Sequence, residues 1–245
     1  MKPQKNTKLV LFILLATLFI LPSCTYSEGK VTRGEGEVIT STFPLSDFDE
    51  IDLQGAFNVT LLQGSPLQAV IETDENLMDL LLVEVRGKTL YVSTTRDVVL
   101  KPTKMNLTIS YPALRQITVG GACKIHSEEV VQSEDLHFDI SGAAEIDLAI
   151  VADALHTQLA GAGSITFEGK AIEHYIDLAG ASSLSAKDLL TEVTEIDLSG
   201  AGSANVYASQ KLKASLSGVG SIKYYGNPLE TDINKSGLGS IRSAE

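Results

Sequence analysis

Ser-Gly-Ala-Gly-Ser-Ala at 199–204, Ser-Gly-Val-Gly-Ser-Ile at 217–222 and Ser-Gly-Leu-Gly-Ser-Ile at 236–241 are three statements of one phrase. Looser versions stand at 120–125 (G-G-A-C-K-I), 141–146 (S-G-A-A-E-I), 160–165 (A-G-A-G-S-I) and 179–184 (A-G-A-S-S-L). The anchor glycines are Gly121, Gly142, Gly161, Gly180, Gly200, Gly218 and Gly237, with successive gaps of 21, 19, 19, 20, 18 and 19 residues. A period held near 20 marks a solenoid, in which each unit buries its apolar face only against its neighbours. A more distant copy, Q-G-A-F-N-V at 54–59, is separated from the run by an insertion.

Working outward from each anchor, the residues two and four places before it are Ile140 and Phe138, Leu178 and Ile176, Leu198 and Ile196, Leu216 and Ala214. Four and six places after it come Ile146 and Leu148, Ile165 and Phe167, Val59 and Leu61, Ile222 and Tyr224. Alternation with period two belongs to strands with one buried face. A helical repeat of this length needs a 3.6-residue stripe, and a leucine-rich repeat needs its Leu-x-x-Leu-x-Leu phrase; neither is present. Parallel strands stack about 4.8 Å apart, so seven coils predict an all-β core roughly 30–35 Å long. The fold expected is a parallel β-helix.

Glycine suits a repeated phrase in two ways, by tolerating positive φ and by letting backbones approach closely. The residue two places after each anchor is Cys123, Ala144, Gly163, Ser182, Gly202, Gly220 or Gly239, always small. Spacing alone does not distinguish a bend here from a strand crossing a narrow core.

The N-terminus reads differently. Lys2, Lys5 and Lys8 precede an apolar run from Leu9 to Leu21, which ends in Leu21-Pro22-Ser23-Cys24. A run of 13 residues, apolar but for Thr17, is short for a membrane span and suits a signal peptide, and the ending resembles a bacterial lipobox. Residues 1–23 are thus expected to be a lipoprotein signal peptide and Cys24 the lipidated residue. Residues 24–36, with Gly29, Gly34 and Gly36, read as a tether. Residues 37–245 form the folded part, divided into a β-rich portion (37–118) and the glycine-phrase coils (119–245). In the first portion, strands are expected at 38–42, 48–53, 67–73 and 105–111, a short helix capped by Asp74, and a hairpin turning at Arg86-Gly87-Lys88. Lys235 replaces the apolar residue two before Gly237, as the polar last coil of a capped stack requires.

The formal charge is −12, and removing the three leader lysines makes the mature chain more acidic still. That excludes nucleic acid, which needs a basic footprint. With Cys24 acylated, Cys123 is the sole remaining thiol. Its place in a small-residue slot predicts a packed structural side chain rather than a nucleophile.

The repeated S-G-x-G-S-I phrase, Phe48-Asp49-Glu50-Ile51-Asp52-Leu53 at the domain's opening and Tyr224-Tyr225-Gly226-Asn227-Pro228 before the last coil resemble the putative auto-transporter adhesin family with a head GIN domain. The resemblance covers about residues 44–240. It implies a right-handed parallel β-helix in the envelope of diderm bacteria, with no catalytic residues to carry over. An auto-transporter needs a membrane β-barrel, for which these residues leave no room, so an adhesin-like lipoprotein is expected.

Function has to be written on the outward positions. Three places before the anchors stand Asp52, Asp139, Gln158, Asp177, Asp197, Ser215 and Asn234; five places before stand Glu50, His137, His156, Tyr175, Glu195, Lys213 and Asp232. His137, His156 and Asp139 are candidate metal ligands, since adjacent coils bring equal positions one strand spacing apart. Glu195 and Asp197 are a candidate carboxylate patch for Ca²⁺. The column Ser164, Ser183, Ser203, Ser221 and Ser240 is expected to satisfy backbone groups of neighbouring coils. No catalytic motif and no cofactor site is visible. The leading expectation is a non-catalytic, lipid-anchored outer-membrane protein that binds a glycan or protein on its outer sheet face. Alternatives are a structural or stress-related envelope component and a polysaccharide-active enzyme.

Overall fold

The structure is a computed structural model that describes residues 30–95 and 98–244. The signal peptide, Cys24 and the first half of the tether lie outside the described residues. Within them the chain is a β-solenoid of about seven turns of roughly 19 residues each.

The expected alternation is realised throughout the stack. In the continuous strand Ala143–Leu159, residues 144, 146, 148, 150 and 152 point inward and their neighbours outward. The inward series then slips by one residue, resuming at Leu155, Thr157 and Leu159. The same slip occurs between Ala171 and His174 and between Thr191 and Thr194, so each of these coils turns a corner there. The second corner is the glycine phrase itself.

Parallel pairing in register aligns equal positions into ladders. One ladder before the anchor runs Leu53, Val119, Ile140, Leu159, Leu178, Leu198 and Leu216. One after it runs Leu107, Val59, Ile125, Ile146, Ile165, Leu184, Ala204 and Ile222. Every member is at most 1% exposed. Fully burying one such side chain stabilises the fold by about 1.5–3 kcal/mol, which makes these ladders the spine of the molecule.

The outlying glycine copy turns out to be the coil next to the seven. Gln116–Val119 pairs with Glu50–Gln54, and Ala122–Ser127 pairs with Ala56–Gln63. The insertion therefore folds beneath this coil rather than between it and the next. Thr89–Thr94 and Met105–Tyr111 continue the parallel stack downward. Below them direction reverses: Leu81–Arg86 runs antiparallel to Thr89–Thr94, Gln68–Asp74 to Met105–Tyr111, and Val38–Pro44 to Gln68–Asp74. Gly87, at φ +65°, makes the tight hairpin return. Hairpins end the solenoid because a reversed chain cannot wind another coil.

The short helix Glu75–Met78 forms where expected, but Asp74 makes no side-chain cap bond. Its carboxylate instead accepts from the backbone N–H of Thr103 (2.8 Å) and from the Thr103 hydroxyl, and these bonds hold its pKa below the usual carboxylate range. Part of the expected tether is also structured: Lys30–Arg33 pairs in parallel with Val98–Lys101. Asn76 clamps it, donating to the Arg33 carbonyl and accepting from Glu35 N–H, both at 2.8 Å. At the other end, Lys235 occupies the last rung of the leucine ladder and its Nζ donates to the Gly239 carbonyl at 3.1 Å.

The anchor glycines are not among the residues with positive φ, so close approach explains them and left-handed backbone does not. A Cβ built on Gly142, Gly161 or Gly180 would lie 1.7–1.9 Å from the carbonyl oxygen of the anchor glycine one coil below. The phrase is a place where backbone rides directly on backbone.

Candidate functional site

The outward column five places before the anchors forms as the spacing requires. Glu50, Gln116, His137, His156, Tyr175, Glu195, Lys213 and Asp232 are successive register partners. Because their strands are parallel and in register, flat side chains in this column stack. The imidazoles of His137 and His156 lie 4.2 Å apart and within 1° of parallel, and Tyr175 stacks on His156 at 4.9 Å. The Tyr175 hydroxyl donates to Glu173 at 2.6 Å, which holds the ring in this plane.

Two shallow hollows follow this column and meet at Tyr175. One, of about 250 Å³, is lined by Gln116, both histidines, Asp139, Gln158 and Tyr175. The other, of about 380 Å³, is lined by Tyr175, Glu195, Asp197, Lys213, Ser215, Asp232 and Asn234. Together they form one polar groove running across the coils. Lys213 lies among carboxylates; it pairs with Glu195, and that hydrogen bond raises its pKa above the usual lysine value.

The metal candidates are partly corrected. His137 and His156 come together as expected, but the carboxylate that meets them is Asp135, not Asp139. Asp135 Oδ1 lies 3.0 Å from His137 Nε2 and 3.4 Å from His156 Nε2. Asp135 precedes His137 by two residues and shares its outward side, and its register partner in the next coil is Ala154. That methyl group leaves room for the carboxylate to reach across to His156. The period-two rule points to position 135 as readily as to 139; what selects between them is the small neighbour above.

The Ca²⁺ expectation is not supported, because Glu195 is neutralised by Lys213 and presents no free carboxylate pair with Asp197. The serine column faces outward, with Ser164 and Ser183 exposed. These serines sit within strands, where backbone groups are already paired by the ladder. A turn hydroxyl does bond the coil below: Ser141 Oγ donates to the Val119 carbonyl at 3.4 Å. Cys123 is 3% exposed and burial pushes its thiol up to about 11, which agrees with a packed structural role. His126, close to it in sequence, points to the opposite side and contacts Thr60 Oγ1 at 3.1 Å.

His174 escapes the reading by columns. It lies six places before Gly180, one further step along the inward series, and is 1% exposed. Its Nε2 meets Thr157 Oγ1 at 3.0 Å, and burial depresses its pKa to about 3.

Comparison with known proteins agrees with this architecture. A putative adhesin from Bacteroides fragilis superposes with a TM-score of 0.84 at 26% identity, over 87% of this chain and 100% of that one. A putative lipid binding protein from Parabacteroides distasonis gives 0.73 at 24% identity, over 88% and 100%. A putative adhesin from Parabacteroides merdae gives 0.67 at 19% identity, over 88% and 100%. The last two show the shared fold alone. No protein of curated function matches the chain. The family described as "Putative auto-transporter adhesin, head GIN domain" matches residues 47–228, most of the solenoid and its base, and the chain belongs to that family.

Proposed function

We propose that this chain is a non-catalytic, lipid-anchored envelope protein that binds its target along the polar groove beside Tyr175. The observation that carries the reading is the pair of hollows that lie along one outward column and share Tyr175, lined by side chains on strands and not on loops. A surface of carboxylates, amides and ring edges on parallel strands suits an extended polyhydroxylated ligand, whose hydroxyls donate hydrogen bonds to the carboxylates. Family membership and the 26%-identical adhesin support a cell-envelope or surface setting. The raised pKa of Lys213 supports the non-catalytic reading, since a lysine held cationic by Glu195 is unsuited to act as a base.

Probing a glycan array with wild-type protein and with Tyr175→Ala tests the groove. We expect retention of the bound glycan class to fall roughly ten-fold in the variant, since Tyr175 is the side chain that lines both hollows. An outward variant that lines neither hollow, Glu168→Ala, is expected to bind as wild type. Equal retention by all three proteins rejects the groove, and release of unsaturated or reducing sugar by the wild type rejects the non-catalytic reading.

The anchor has its own test. Cys24→Ala is expected to release the protein from the membrane fraction or to leave an uncleaved precursor, because several acyl chains are needed for durable attachment. Processed, membrane-bound protein in that variant rejects the lipid anchor.

A further inference from the structure

We propose that Asp135, His137 and His156 form a site for one transition-metal cation of the zinc type, held by two imidazole nitrogens and one carboxylate oxygen. Both imidazoles also line the first hollow, so the ion would sit within the groove, but its binding is read on the metal alone. Its three donor atoms all lie within 4.8 Å of one another. Tetrahedral zinc with bonds near 2.0–2.1 Å needs its donors roughly 3.3 Å apart. The two gaps from Asp135 Oδ1, 3.0 and 3.4 Å, already have that length. The remaining gap, between the nitrogens, requires both rings to turn out of their parallel stack, for which side chains 43% and 37% exposed have room.

The donor set also selects the ion. Two nitrogens and one oxygen suit Zn²⁺, Ni²⁺ or Cu²⁺, whereas Ca²⁺ and Mg²⁺ require oxygen ligands. Both histidine Nε2 atoms already converge on one carboxylate oxygen, Asp135 Oδ1. Three protein donors leave a fourth position open to water or to a ligand atom. The other two histidines of the chain are committed elsewhere, His126 to Thr60 and His174 to Thr157.

Zinc titrated into the full chain, purified without a histidine tag, is expected to bind at one ion per chain and to raise the melting temperature. Ca²⁺ and Mg²⁺ at the same concentration are expected to leave it unmoved. Cu²⁺ in the same site is expected to give an electron paramagnetic resonance spectrum with superhyperfine structure from two imidazole nitrogens. His137→Gln and His156→Gln should each weaken zinc binding at least about ten-fold and Asp135→Asn several-fold, while Asp139→Asn stays within about two-fold of wild type. No saturable zinc binding at about 1 mM, or binding that survives the double histidine variant, overturns the site. The copper spectrum is read on wild-type protein, so a misfolded variant leaves the question decidable.

Discussion

Gly200→Val is expected to lower stability by roughly 3–5 kcal/mol, more than most single substitutions in a domain of this size. The obstacle is the Cβ itself. It would stand 2.0 Å from the Gly180 carbonyl oxygen and 2.8 Å from the Ala179 carbonyl carbon, all backbone atoms of the coil below. Relief requires moving the coils apart, which stretches the ladder bonds from Gly200 N–H to Leu178 (3.2 Å) and from Ala201 N–H to Gly180 (3.0 Å). Gly200→Ala should therefore show most of the loss. Gly237→Val meets an equal clash, 2.1 Å from the Gly218 carbonyl oxygen. It belongs to the last coil, however, whose strand Glu230–Lys235 is exposed along its whole length. That coil can detach from the stack, so its cost is capped at the small free energy of fraying, about 1–2 kcal/mol. Urea melts of the paired variants decide the matter. Equal losses at the two sites would show that the coils do not carry stability as a stack.

Acid is expected to destabilise the chain well before its carboxylates titrate, through His174. Its folded pKa of about 3 lies below the unfolded value near 6.5, so the unfolded chain takes up the proton more readily. The contribution is fully present above pH ~6.5 and is lost progressively as pH falls toward 3. At 1.36 kcal/mol per unit, the whole window amounts to about 4–5 kcal/mol. His156, whose pKa is also lowered by burial, adds a smaller effect of the same sign. Glu72 and Asp74, held low by hydrogen bonds from Lys104 and Thr103, enter only at still lower pH. Between pH 6.5 and 5 the unfolding free energy should fall by about 1–2 kcal/mol. The variant His174→Leu/Thr157→Val removes the histidine and the hydroxyl it would otherwise strand, and should flatten that slope. A wild-type stability constant from pH 7.5 to 5 would show that His174 does not exclude the proton.

Period and parity were legible without coordinates, for a physical reason. A solenoid repeats one local geometry, so each rung of the core is written at a fixed distance from its glycine. Leu159, Leu178 and Leu198 announce a ladder by spacing alone, and the stacked column of His137, His156 and Tyr175 follows from the same spacing. Lys235 as a polar rung was legible on the same ground, because it stands where the spacing places a member of the leucine ladder. The reason for the glycines was not legible. Positive φ and close approach leave the same residue in the sequence, and only the stacked backbone, with Gly161 carbonyl oxygen 1.7 Å from the Cβ that Gly180 lacks, separates them.

Tertiary structure alone decided whatever depends on contact between unlike segments. That Gly55 lies under Gly121, with the whole insertion folded below, rests on which edge of a coil the returning strand pairs, and both edges offer the same hydrogen bonds. Asp74 reads as a helix cap because a cap is a local bond; Thr103, remote in sequence, captures the carboxylate instead. Asp135 and Asp139 share one parity, and only the methyl group of Ala154 across the coil lets Asp135 reach both imidazoles. The sequence by itself therefore determined the coil, its period and its inward and outward sides, since these are local and repeated. Which outward side chains converge into a site was settled by neighbours in other coils, whose size and charge no repeat encodes.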